Sequence, residues 1–358
     1  MNRNSLLSRV SFVAGISMLA ALAVMQTTFS TLAAAPDKPY KVVNTVQVMG
    51  NGGIDYVYAD NDARRLYVPR GNEILVFDLD TLKSAGTIGN AKARGAAVDP
   101  KSHHGFSSSS PVVMWDSKTL QTIKTIEVQG NPDGILFEPA TERIYVFSHR
   151  APNVTVIEAK DGTVAGTIDL GGAPEQAASD GQGHVYVDLE DKDNVAVVDV
   201  KTLKVTAHYD ISSKARGPAG LALDGKNHVL FALCRNPATA VILSADDGKI
   251  LTTLPIGSGS DGGLFNPVTM EAFSSQRDGT LTVIKETSPT NFEVAQTVKT
   301  KTGAKTCTFD TKNNQILLIT TERPPAAATP ATPAAGTAPP GASRRGGPSM
   351  LDIIVVGQ

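Results

Sequence analysis

Cysteine is almost missing from this sequence: Cys234 and Cys307 are the only two in 358 residues. That excludes a disulfide-dense scaffold and a four-cysteine zinc site, and the lack of C-x-x-C-H excludes covalently attached haem. A single Trp rules out a fold or cofactor cage built from many tryptophans. The formal net charge of -2 fits neither a globally basic nucleic-acid binder nor a strongly acidic tail protein. No segment sustains a 3.6-residue apolar period over helical length. What is present is a hydrophobic fraction of 41%, enough for a core and too much for a wholly disordered chain.

The only long apolar run lies at the start. Arg3 and Arg9 precede a run from Val10 to Val24, broken by Ser11, Gly15 and Ser17, and Ala33-Ala34-Ala35 follows. This is the pattern of a secretory signal peptide over 1–35, too short and interrupted for a membrane span. Its removal takes away two positive charges and leaves -4. The mature chain is expected in the bacterial periplasm or secreted, with no membrane span, as a monomer.

The remainder repeats. An acidic or amide residue that opens a turn recurs as Asp60, Asp99, Glu138, Asp180, Asp224, Asn266 and Asp310, at spacings of 39, 39, 42, 44, 42 and 44. Six or seven residues after each stands Tyr67, Phe106, Tyr145, Tyr186, Phe231, Phe273 or Leu317, followed by a short apolar run such as Ile74-Leu75-Val76-Phe77. A polar turn then leads into a fourth segment, for example Ala165-Gly166-Thr167-Ile168. Four short strands per unit of about 40 residues predict an all-β, seven-bladed β-propeller with four antiparallel strands per blade. The seventh unit ends after its third strand, and Tyr40 to Val48 reads as the end of a unit. The N-terminal strand should therefore close the last blade and remove an open edge. Length alone suggests two domains; the repeat replaces that with one propeller domain over 36–358.

These residues resemble the YVTN-type, YncE-like family of bacterial extracytoplasmic propellers. The resemblance rests on Pro132-Asp133-Gly134, on Leu66-Tyr67-Val68, Ile144-Tyr145-Val146 and Val185-Tyr186-Val187, and on Asn153-Val154-Thr155-Val156-Ile157 with Asp161-Gly162. It covers nearly all of 36–358. It departs where the family has Thr-Asn after Tyr-Val, since Pro69, Phe147 and Asp188 stand there. It implies a binding protein of unspecified ligand, with relatives that bind single-stranded DNA. Similar propellers include lactonases, so the fold leaves the activity open.

In such a propeller the loops entering each first strand share a face with the loops between strands two and three. Five residues before each turn-opening residue stand Asp55, Arg94, Asp133, Glu175, Ala219, Asp261 and Lys305. They predict a ring of four acids and two bases at the channel mouth, although Pro-Asp-Gly is also ordinary turn chemistry. Converging acids repel, so a cation or the two bases should offset them. The second set of loops adds Arg70, His149, Arg150, Glu190, Asp191, Arg235, Arg277 and Glu322. Arginines there suit a carboxylate or phosphate. The basic residues are accompanied by few aromatics for single-stranded nucleic acid to stack on.

No catalytic constellation is complete. His103, His104, His184 and His228 fall in turns on the opposite face, so a multi-histidine metal cluster is not expected. Gly257-Ser258-Gly259-Ser260-Asp261-Gly262 lacks a P-loop Lys and a following helix. An oxygen-ligated divalent cation such as Ca2+ on Asp55, Asp133, Glu175 and Asp261 would support a lactonase-type hydrolase. The reading favoured by the sequence is a non-enzymatic module that binds a small molecule or protein at the channel mouth. The alternatives are that hydrolase and a single-stranded DNA binder. Both cysteines should be free thiols. The segment 323–348 holds seven Pro and eight Ala, has no large apolar residue, and is expected to be a disordered insertion between strands two and three of the last blade.

Overall fold

The computed structural model describes residues 38–151, 153–322 and 348–358. The predicted signal peptide and most of the Pro/Ala-rich segment lie outside the described residues. Every described strand belongs to one of seven four-stranded antiparallel sheets. Their first strands stand side by side around an axis, each touching the next, and the first strand of blade 7 touches that of blade 1. The result is the seven-bladed propeller that the repeat predicts. No helix among the described residues is long and apolar enough to cross a membrane.

Six blades follow chain order. Blade 7 is composite: Cys307–Asp310, Gln315–Glu322 and Ser349–Gly357 are joined on the outside by Lys41–Gly50. Lys41 pairs with Gly357 and Gly50 with Ser349, so both ends of the domain meet in one sheet. Just before this strand, Tyr40 is pinned to blade 6. Its hydroxyl donates to Glu271 at 2.8 Å, and its backbone exchanges two hydrogen bonds with the Gln296 side chain.

The turn-opening residues act through local chemistry. Asp60 accepts from the backbone N–H groups of Asp62 and Ala63, Asp99 from Lys101 and Ser102, Glu138 from Ala140 and Thr141, and Asn266 from Val268 and Thr269. A carboxylate or amide oxygen here satisfies donors that the turn removes from the sheet. The last residue of every such turn has positive φ: 51–59° at Arg64, His103, Glu142, His228, Met270 and Asn314, and 142° at Gly183. His103 and His228 are therefore turn residues. His104 and His184 begin second strands at the same end of the molecule, and His208 sits in an outer strand.

The apolar core lies between blades. Leu66, Val68 and Phe77 of blade 1 pack on Leu317, Ile353 and Val355 of blade 7, and comparable layers fill the other spaces. The single Trp115 is fully buried in the layer between blades 1 and 2, its ring 5.7 Å from that of Tyr67. Gly105, opposite Trp115 in the sheet, leaves room for it; a Cβ there would come within 2.1 Å of the indole.

Candidate functional site at the channel mouth

The predicted ring forms, and a register irregularity explains how. Near the start of the first strand of blades 3 to 6 the pairing shifts: between Pro132 and Ile135, Pro174 and Ala177, Pro218 and Gly220, and Ser260 and Gly262. Each shift contains one ring position: Asp133, Glu175, Ala219 or Asp261. A bulge breaks the alternation of side chains and re-aims one of them. In three of these blades the re-aimed residue is an acid that joins the charge network at the mouth.

Four acids and four bases then alternate in a closed circuit. Asp55 takes Arg94 at 3.5 Å, and Arg94 reaches Asp133 at 3.1 Å. His149 stands 3.0 Å from Asp133 and 3.8 Å from Glu175. Arg235 is 3.7 Å from Glu175 and pairs closely with Asp261. Lys305 pairs with Asp261 and, at 2.9 Å, with Asp55. All seven blades contribute. Ala219 carries no charge for blade 5, and Arg235 at the end of the neighbouring strand supplies it instead. The sequence offered two bases from the ring itself; His149 and Arg235 come from the second set of loops.

Asp133 is not a turn cap. Both its oxygens face side chains of the circuit, Oδ1 toward Arg94 and Oδ2 toward His149. Burial pushes its pKa up, but His149 and Arg94 outweigh this and hold it below the usual range. His149 is raised, chiefly by Asp133 and against the effect of burial. Burial would lower Arg235 and Lys305, yet Asp261 and the other acids raise both, so both stay charged. Glu175 is different. Burial, then the neighbouring Glu190 and Asp261, push it up to about 8, with Arg235 pulling the other way. This upward shift accords with the two loosest links of the circuit, which lie on either side of it.

The other predicted residues are spread more widely. Arg277 is 63% exposed and stands 3.8 Å from Asp261 on the rim. Arg150 is exposed, and its backbone bonds to Ser148. Arg70 is a correction to the expected basic ring. It is buried, and its guanidinium donates to the backbone carbonyls of Val48 at 3.0 Å and Ser349 at 2.6 Å. It fastens blade 1 to the composite blade instead of facing a ligand. The four-acid cation set is also not assembled as such, because Lys305 lies between Asp55 and Asp261. Among the described residues, the group able to share an ion is Asp133, His149 and Glu175.

Below the ring a channel cavity of about 380 Å³ is lined by Tyr56, Ile135, Phe147, Gln176, Leu264 and Phe309 among others. Gln176 spans one side of it. Its amide oxygen accepts from the N–H groups of Leu221 and Gly263, and its nitrogen donates to the Gly263 carbonyl. Cys307 also lines the cavity; burial pushes its thiol up to about 11. Cys307 and Cys234 are both free, as expected from their different blades. Next to the ring, a rim depression of about 660 Å³ is bounded by Lys92, Arg94, Ser109, Ser110 and Asn131.

No family model matches this chain, and no curated protein sequence matches it. Its likeness is to solved structures. It is similar to the WD40 repeats of RRP9, with a TM-score of 0.67 and 11% identity over 78% of this chain and 91% of that one. It is also similar to a chain of the mitotic checkpoint complex, with a TM-score of 0.68 and 9% identity over 86% and 95%. At such identities the fold is what is shared. That shared fold is the β-propeller.

Proposed function

We propose that this protein is an exported binding module that holds a polar or charged ligand or protein partner at its channel mouth, without turning it over. The observation that carries this is the eight-membered charge circuit drawn from all seven blades. Its members hold one another, so the face presents fixed donors and acceptors rather than a nucleophile with a general base. Fixed, mutually oriented charges favour recognition, because little side-chain entropy remains to be lost on binding. The WD40-like architecture supports an interaction role of this kind. The signal-peptide pattern over 1–35 supports export, and the motifs around Tyr145 and Asn153 support kinship with the YVTN-type propellers.

Site-specific photocrosslinking tests the reading. A crosslinker at Arg277 on the rim is expected to capture a partner, or to be protected by a ligand, while one at Lys118 on the opposite face is not. Equal labelling from both faces would overturn the mouth as the binding surface. A hydrolase of lactonase type is the second reading, and the convergence of Asp133, His149 and Glu175 favours it. Lactone turnover that a chelator abolishes would replace the binding module with that enzyme.

A further inference from the structure

The charge circuit accounts for Asp55, Asp261 and Lys305, but one corner of it has a different construction. Asp133, His149 and Glu175 each offer a ligand atom, and these atoms lie within 4.8 Å of one another. His149 Nε2 is 3.0 Å from Asp133 Oδ2 and 3.8 Å from Glu175 Oε1. Yet this nitrogen is closed off from solvent and makes no hydrogen bond of normal geometry. Two atoms that share an ion at about 2.1 Å stand roughly 3.0–3.4 Å apart, which is the spacing approached here.

The carboxylates are held for the task. Asp133 gives Oδ1 to Arg94 at 3.1 Å and turns Oδ2 to His149. Glu175 accepts from the Tyr56 hydroxyl on Oε2 at 3.4 Å and turns Oε1 to His149. Each acid thus has one oxygen tied to a protein donor and the other aimed at the same point, as outer partners orient metal ligands. Arg235 approaches Glu175 Oε1 only to 3.7 Å, beyond hydrogen-bond reach. Independently, Asp188 is fully buried with both carboxyl oxygens unpartnered, close enough to Glu175 and Arg235 for their charges to act on it.

We propose that Asp133 Oδ2, His149 Nε2 and Glu175 Oε1 form a binding site for a first-row divalent transition-metal ion. One imidazole with two carboxylates suits zinc or its neighbours better than calcium or magnesium, which take oxygen ligands. Three protein ligands leave a further coordination position for water or for a donor atom of an entering ligand. The site lies within the charge circuit of the binding reading, but its test stands apart from that reading, since ion binding is read directly and without any partner.

The test uses the full chain, stripped with chelator and titrated with Co2+ and then Zn2+. One Co2+ per chain is expected, with a visible absorption band that Zn2+ displaces. His149→Ala, at a half-exposed side chain, should fold normally and weaken binding at least tenfold. Asp133→Asn should do the same, with melting of the metal-free variant followed in parallel. Glu142→Gln, on the opposite face and outside the charge circuit, should leave affinity within twofold. Absence of stoichiometric Co2+ or Zn2+ binding overturns the site. So does binding that survives His149→Ala, or that is lost in Glu142→Gln while the variant remains folded.

Discussion

The Arg70 guanidinium donates to the Ser349 carbonyl at 2.6 Å, across 279 positions of sequence. The same side chain donates to Val48, so one buried arginine holds the outer strand of the closing blade and the strand next to it. Burial pulls its pKa down, as expected for a cation paired with carbonyls in place of carboxylates. Arg70→Met should leave those carbonyl bonds unmade and cost about 2–4 kcal/mol, since hydrogen bonds to a charged group are among the stronger ones. Urea unfolding would give the loss. Hydrogen exchange should place it first in Lys41–Gly50, and uniform exchange across all blades would contradict the clasp.

Lys305 is a second point where one cation serves two acids. Removing it leaves the buried Asp261 with Arg235 and a distant, exposed Arg277, and Asp55 with a distant Arg94. Breaking a buried pair from one side costs more than the pair contributes, so Lys305→Met should lose roughly 2–4 kcal/mol. Arg150→Ala, at an exposed loop residue, should change stability by less than about 0.5 kcal/mol. Thermal melts of the two variants side by side check the contrast.

On the face away from the mouth, Glu286 and Asp224 each keep one buried oxygen without a partner. Burial pushes Glu286 up to about 7; its bond from Asn227 opposes this and Asp224 reinforces it. The folded state therefore holds this proton more tightly than the unfolded chain, where Glu titrates near about 4.3. The resulting stabilisation is complete below that value and is lost as pH rises through about 7. Glu286→Gln keeps an acceptor for Asn227 and removes the titration. Relative to the parent it should gain on the order of 2 kcal/mol between pH 5 and pH 8. Parallel curves for the two proteins in urea at both pH values would refute the assignment.

Gly105 is glycine because of Trp115. A Cβ at 2.1 Å from the indole must displace the ring or the sheet. Gly105→Ala should cost about 1–3 kcal/mol through overpacking, with a shift in Trp fluorescence, for which Trp115 is the only source. An unchanged melting temperature and emission maximum would show that blade 2 yields freely.

The architecture was legible because its signals are local. The turn-opening residues bond to backbone a few residues away, and the strands are short apolar runs bounded by polar turns. Both recur in each unit, so the seven-fold repeat and the closing strand can be read from the chain alone. The ring positions Asp55, Asp133, Glu175, Asp261, Arg94 and Lys305 were legible for the same reason, as a fixed offset within the repeat.

What only the tertiary structure decided is which side chains meet. Arg70, His149, Arg150 and Arg235 stand where second strands end, at positions that look equivalent in sequence. One is buried in a seam, two complete the circuit, and one stays on the surface. The bulges that turn Asp133, Glu175 and Asp261 to the mouth are events of register between two strands, and no single segment encodes them. Lys305 and Asp55 are 250 positions apart and meet only when the seventh blade closes on the first. Local chemistry repeats along a sequence and can be counted there; charge pairing across blades depends on closure, direction and burial, which arise only when the ring is complete.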